Sequence, residues 1–336
     1  MNTPSINLEV MNNDTQRAFH EIWYLKLNDP VSQRALWLRF TLLSSGNGFK
    51  RVAEVWAVYF HRTPNREVKK VALKQAYDLS AFSAPLNSGL RIGDNELTAT
   101  STKGLVQSKG NSLKWDFSFI QERNSTFNLI PEFFSRMGFN TTSAETLCEE
   151  LIFSGITEIN GETIHWKDAP GMIGHFYGPK SGHSWTWGQC NSFIDEAGKP
   201  VSFVFEGLSA RAQVGPIKSP QISSFYFYYQ NQNYSFNSLK DIIYLKSKNT
   251  LNQWEFQADR SDILFRGYVK SEYKDFAGLT YEDTNGSLLY CANSKLSNMK
   301  ILVYKRGKLE SSFTADGTAA FEVVSRIKNP YVPLIV

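Results

Sequence analysis

The stretch His183-Ser184-Trp185-Thr186-Trp187-Gly188-Gln189-Cys190-Asn191-Ser192-Phe193 alternates in size with a period of two. His183, Trp185, Trp187, Gln189, Asn191 and Phe193 share one side of an extended chain, and Ser184, Thr186, Gly188, Cys190 and Ser192 share the other. A face of rings and amides backed by a face of small residues reads as a β-strand whose large side lines a mostly apolar cavity. Buried amides at Gln189 and Asn191 need partners, which a ligand or a bridging water can supply. The glycine-rich segment just before, Gly171-Met172-Ile173-Gly174-His175-Phe176-Tyr177-Gly178, adds a second histidine.

Working outward, the same grammar recurs on both sides. Upstream, the pattern predicts strands at Ile22 to Leu27, Arg34 to Leu43, Val52 to His61, Glu67 to Tyr77, Glu96 to Lys103 and Leu113 to Gln121. Gly46-Asn47-Gly48 marks a hairpin. The alternation breaks over Phe127 to Gly138, around Pro131 and the pair Phe133 and Phe134. Ser143 to Glu150 is expected as a short helix capped by Ser143. Leu151 to Ile159 and Glu162 to Trp166 form a hairpin around Asn160-Gly161.

Downstream, strands are expected at Pro200 to Glu206, Ser223 to Gln230, Asp241 to Leu245, Gln253 to Ala258 and Ile263 to Tyr273. Gly286 to Cys291, Met299 to Lys305 and Leu309 to Thr314 follow, with Thr318 to Ile327 a strand or a short helix. Strand candidates spaced at roughly 8–12 residues, with no helix long enough to cover a parallel sheet, predict an all-β protein. The expected architecture is two antiparallel β-barrels in tandem, residues 1–169 and 170–336, each able to hold one small ligand.

Composition bounds the function. Thirty-six Lys and Arg against 32 Asp and Glu leave a formal charge of +4 over 336 residues, scattered and without a basic patch, which argues against a nucleic-acid partner. No apolar run approaches the length of a membrane span. The amino terminus lacks a basic, apolar leader, and the three cysteines form neither a disulfide framework nor a zinc spacing, so the expected compartment is the cytoplasm. Phosphate loops, dinucleotide fingerprints and nucleophile elbows are absent from the sequence. His165, His175 and His183 fit no standard metal spacing, so neither metal nor cofactor is expected.

What remains is proton chemistry or binding. Glu206 follows the apolar run Phe203-Val204-Phe205, and an inward-facing carboxyl there would have a raised pKa and could donate a proton near neutrality. His175 is the other candidate acid. In the run Phe225-Tyr226-Phe227-Tyr228-Tyr229, ring faces could stabilise a developing carbocation, with Tyr229 joining the pocket.

Ala169-Pro170-Gly171, His175-Phe176-Tyr177-Gly178 and Ser184-Trp185-Thr186-Trp187-Gly188-Gln189-Cys190-Asn191-Ser192-Phe193 together resemble the central motif of the tocopherol cyclase family, a Trp-x-Trp-x-Gln-x-Asn-x-Phe core. The related carotenoid hydratase/AttH-like group has a similar pattern. Ser287 to Ser294 and Ile301 to Lys305 are similar to that family's closing strands; Trp23-Tyr24-Leu25 and Ala35 to Arg39 are similar to the opening ones. Where the family carries a charged segment ahead of the Trp pair, this chain has Gly174-His175-Phe176-Tyr177-Gly178.

The resemblance implies two lipocalin-like (calycin) barrels and a cofactor-independent cyclase, hydratase or isomerase that protonates an isoprenoid- or polyketide-like substrate. On that reading His175 or Glu206 is the proton donor. Trp185, Trp187 and Tyr229 shape the pocket, while His183, Gln189 and Asn191 orient a polar head or water. The alternative is a non-catalytic carrier of lipids or other hydrophobic small molecules that uses the same pocket.

Overall fold

Two long hairpins dominate the chain, each supporting its own antiparallel sheet. In the structure, a computed structural model, residues 6–11, 17–46, 48–85, 89–123, 126–130, 142–214 and 217–336 are described. The first sheet opens with β1 (Phe19–Asp29), β2 (Arg34–Ser44), β3 (Arg51–Arg62) and β4 (Val68–Asp78). It continues through the short β5 (Phe82–Ser83), β6 (Leu90–Ile92) and β7 (Asn95–Leu97) to β8 (Ser101–Ser108) and β9 (Asn111–Gln121). After β10 (Phe127–Asn128) it closes with the hairpin of β11 (Ser143–Ile159) and β12 (Glu162–Gly178). Its order is β4-β3-β2-β1-β12-β11-β9-β8-β7-β6-β5, with β10 beside β11. The margins approach each other where the Gln107 N–H donates to Gln75 Oε1 at 3.2 Å, which nearly completes a barrel.

The second sheet begins with β13 (Ser184–Cys190), followed by β14 (Phe193–Ile194), β15 (Pro200–Val201) and β16 (Val204–Arg211). A separate two-stranded ribbon joins β17 (Gln213–Val214) to β18 (Ile217–Lys218). Then come β19 (Ile222–Tyr229), β20 (Gln232–Phe236), β21 (Lys246–Asn249), β22 (Gln253–Arg260), β23 (Ile263–Lys270) and β24 (Ala277–Glu282). The long hairpin of β25 (Leu288–Lys305) and β26 (Lys308–Ser325) completes it. The order is β20-β19-β16-β13-β26-β25-β23-β22-β21. Arg260 joins the margins of this sheet by donating to the Ser235 carbonyl and to Asp241 Oδ1.

Strands at the seam serve two environments. Trp23, Leu25 and Leu27 of β1 and Leu36, Leu38 and Phe40 of β2 fill the first barrel. Phe203, Phe205, Phe225, Phe227, Phe256 and Phe265 fill the second, with Phe227 stacked on Phe265 at 4.1 Å and Phe205 on Phe256 at 4.5 Å. The alternate residues pack the two sheets against each other: Trp37, Trp56 and Phe60 from the first meet Leu279, Tyr281 and Val324 from the second. The strands between the barrels are therefore buried on both faces and read as nearly continuous apolar runs.

The small face of β13 is explained by the second barrel. Gly188 stands opposite Gly207, and the slot between them admits the indole of Trp254. A Cβ on Gly207 would lie 2.7 Å from Phe225 Cδ1 and 2.9 Å from both Phe205 Cζ and Trp254 Cη2. Because all three are packed rings, Gly207→Ala is expected to destabilise the fold by about 1–3 kcal/mol. A lowered thermal midpoint would show this; an unchanged one would mean that the barrel interior is looser than its ring contacts indicate.

Several expected elements are corrected. Ser143 to Glu150 is not a helix but the start of β11, where register shifts between Thr146, Cys148 and Leu151 disrupt the period of two that marks a strand. Asp241 to Leu245 is not a strand: Leu239–Tyr244 is a helix, with Ser238 and Asp241 forming a capping box. Glu96 to Lys103 straddles β7 and β8. Gly286 to Cys291 and Met299 to Lys305 overlap one strand, β25, whose shifts between Ser294 and Met299 hide its continuity. Pro170 lies inside β12, and the chain passes from the first sheet to the second at 179–183, not at 169/170. Asn47, Pro131, Phe133 and Phe134 fall outside the described residues.

Candidate functional site

A cavity of about 360 Å³ opens between the two barrels, not inside either one. From the first sheet, Ile22, Tyr24, Trp37 and Phe176 line it; from the second, Trp185, Trp187, Leu208 and Glu322. Lys180, Ser181 and Arg211 also line it. The large face of β13 thus looks toward the other barrel, because its small face is needed to accommodate Trp254.

Glu206 sits behind the Trp187 indole and is fully buried. Trp187 Nε1 donates to its Oε1 at 2.7 Å, and Thr146 Oγ1 of the first sheet donates to its Oε2 at 2.5 Å. Burial pushes the Glu206 carboxyl up to about 7, against the opposing pull of these two hydrogen bonds and of Lys26. Lys26, also fully buried, donates to Gln189 Oε1 at 3.0 Å, and burial draws its pKa down to about 8.

Tyr24 lines the cavity, within reach of the Glu206 charge. Its strand register places it beside Gly174, which in turn pairs with Thr146. A Cβ on Gly174 would lie 2.3 Å from Tyr24 Cζ and 2.4 Å from its hydroxyl oxygen, so the missing side chain makes room for the tip of the phenol. The Tyr24 ring meets Trp187 edge-on at 5.8 Å. Burial raises the phenol pKa well above its usual value, and the charges of Glu206 and Glu322 add to the effect. Glu322 lines the cavity directly; Lys295 Nζ at 2.7 Å and Asn293 Nδ2 at 2.8 Å donate to its Oε1.

The residues singled out from the sequence disperse. Trp185 and Trp187 line the cavity, and Glu206 backs it. His175 instead turns into the first barrel, stacked on Trp23 at 4.8 Å with Nε2 2.9 Å from Glu21 Oε1. Gln189 is engaged by Lys26, and Asn191 Nδ2 donates to the carbonyls of Glu149 and Gly171, tying the two sheets together. Tyr229 belongs to the second barrel, where its hydroxyl donates to Glu310 Oε2 at 3.0 Å. His183 is half-buried at the start of β13, its backbone N–H bonded to the Arg211 carbonyl.

Tyr24, Arg39, Glu322 and Lys295 were missed. A signal was present for three of them: Tyr24, Arg39 and Glu322 each interrupt a locally apolar run, as in Ala319-Ala320-Phe321-Glu322-Val323-Val324, whereas Lys295 stands among Asn293, Ser294 and Ser297.

The profile of the tocopherol cyclase-like family matches residues 144–324, from β11 to the end of β26. The chain belongs to this family. The matched span includes β13, Glu206 and Glu322, while Tyr24, Lys26 and Arg39 lie outside it. A search of curated proteins finds no sequence match.

Two solved structures have a similar fold. Kievitone hydratase from Nectria haematococca aligns with a TM-score of 0.52 at 9% identity, covering 96% of this chain and 95% of that one. A Nitrosomonas europaea protein assigned as AttH aligns with a TM-score of 0.50 at 8% identity, covering 93% and 94%. At these identities the likeness is one of fold, the lipocalin-like double barrel that this family member shares. No helix among the described residues is long and apolar enough to cross a membrane.

Proposed function

We propose that the protein is an acid–base catalyst that adds an O–H group across a carbon–carbon double bond of an apolar, isoprenoid- or polyketide-like substrate held between the barrels. The observation that carries this reading is a carboxyl with a pKa near 7, Glu206, directly behind an aromatic cavity. Membership of a tocopherol cyclase-like family and a fold shared with a hydratase support the same chemistry.

In this mechanism the proton of Glu206 reaches one alkene carbon through the Tyr24 hydroxyl, which gives up its own proton as it takes the one from Glu206. Positive charge develops on the other alkene carbon, facing the rings of Trp185 and Trp187. A hydroxyl of the substrate closes a ring there, or a water adds. The proton released from that oxygen goes to Glu322, which passes it to solvent, and Glu206 is reprotonated from water. The net change is addition of one O–H, with no redox step.

The test is turnover in deuterium oxide with isoprenoid alkenes that do or do not carry an internal hydroxyl. One deuterium on a former alkene carbon is expected per product molecule. Product without that label would sink the protonation step. A bound lipid seen by native mass spectrometry, with no product from any alkene, would favour a carrier.

A further inference from the structure

Arg39 is a buried cation that the protein itself does not neutralise. It lies on β2 with 4% of its surface exposed, and it lines the inter-barrel cavity. Its Nε donates to Thr41 Oγ1 at 2.8 Å, and its Nη2 stands 3.3 Å from His20 Nε2. The guanidinium carbon is 4.4 Å from the Tyr281 ring centroid and 5.4 Å from that of Trp56, so the group packs against two rings that meet edge to face. Among the described residues Arg39 has no carboxylate partner. Two carboxylates of the same interface are engaged elsewhere: Glu54 with Lys74 at 3.7 Å and Glu322 with Lys295 at 2.7 Å.

A buried, unpaired guanidinium is costly unless something compensates its charge. The neighbours sharpen the point. His20 also lines the cavity, and burial together with the Arg39 charge lowers its pKa to about 3, which keeps the imidazole neutral. With Nε2 accepting from Arg39, the proton of His20 is on Nδ1, 3.4 Å from Ser181 Oγ. Lys180 and Arg211 add further positive charge to the cavity wall.

We propose that Arg39 is the seat of an anionic oxygen on the ligand, so that the cavity takes amphipathic carboxylates whose apolar body lies against Trp185, Trp187 and Phe176. This inference rests on the inter-barrel cavity being the substrate site. The planar guanidinium offers a carboxylate two parallel N–H donors, and its stacking on Tyr281 fixes the plane in advance.

The test compares dodecanoate with dodecan-1-ol, two probes of equal chain length, by tryptophan fluorescence at pH 8. The wild-type protein is expected to bind the acid at least about tenfold more tightly than the alcohol, as a charge-assisted hydrogen bond to a buried group provides. Arg39→Met should remove that preference and leave dodecan-1-ol within about twofold of wild type, because the apolar wall is untouched.

Equal affinities in the wild type would overturn the proposal. So would a preference that survives Arg39→Met but disappears in Lys180→Met/Arg211→Met. Failure of both probes to bind the wild type would instead sink the cavity reading beneath it. A further measurement needs no variant: the carboxyl carbon of bound [1-¹³C]dodecanoate should keep its ionised chemical shift at least about one pH unit below the titration of the free acid. A carboxyl that titrates as in free solution overturns the proposal.

Discussion

Glu206→Gln should lower turnover by roughly 10²–10⁴-fold while leaving ligand affinity close to that of the wild type. The amide is nearly isosteric with the carboxyl. Its oxygen can accept from Trp187 Nε1, and the Thr146 hydroxyl can rotate to accept from its nitrogen, so both contacts survive. What is lost is the transferable proton. The wild-type rate should also fall as pH rises through about 7, where Glu206 ionises.

The same substitution carries a stability signature of determinate sign. The Glu206 pKa rises from an ordinary 4.5 to about 7 on folding, so the native state holds this proton more tightly than the unfolded chain. Its contribution is fully present below pH 4.5 and is lost as pH rises through about 7. At about 1.4 kcal/mol per unit, the difference amounts to a few kcal/mol. Glu206→Gln, which cannot ionise, should therefore gain stability relative to wild type between about pH 5 and pH 8. Parallel pH dependences of the two proteins in urea titrations would show that Glu206 is not the perturbed group, and an unchanged rate would remove it as the acid.

Lys295→Met should be the most damaging single change to stability. Lys295 is fully buried, and its ammonium donates to Glu322 Oε1 at 2.7 Å and Asn293 Oδ1 at 2.8 Å. It also lies 5.2 Å from the Trp37 ring centroid and 5.3 Å from that of Trp187. Burial alone draws the ammonium pKa down; Glu322 opposes that shift. Removing the cation strands a carboxylate in the interface, at a cost of about 3–5 kcal/mol. Replacing both partners, as in Lys295→Met/Glu322→Leu, should recover most of the loss, since two apolar side chains leave nothing unpaired. Urea midpoints of the single and double variants measure this. A double variant no more stable than the single one would mean that the loss comes from packing against Trp37 and Trp187.

The strands that were legible in the sequence are those whose two faces differ. Leu113, Trp115, Phe117 and Phe119 fill the first barrel while Lys114, Asp116 and Ser118 face outward, so the alternation is plain. The alternation of β13 was equally clear, and Trp185 and Trp187 do line a cavity, but periodicity cannot say which side of a strand is the inside of a barrel. That is set by Trp254, some sixty residues downstream, which occupies the slot beside Gly188 and Gly207. Helical propensity around Ala144-Glu145-Thr146-Leu147 was overridden by pairing with β12, and the register shifts of β11 hid the outcome. Tyr229 and His175 lie away from the cavity for a reason the sequence does not show: an aromatic or polar residue in a strand points into its own barrel or toward the other one, and its neighbours look the same in either case.

Placing the cavity between the barrels separates two kinds of evolutionary constraint along a single strand. In β13 the even-numbered Thr186 and Gly188 answer to the second barrel, whereas the odd-numbered Trp185 and Trp187 face the cavity. Substitution at every second position can therefore reshape the binding wall without a change in barrel volume. Any replacement at the even positions must also fit the second barrel, where Gly188 faces the Trp254 indole.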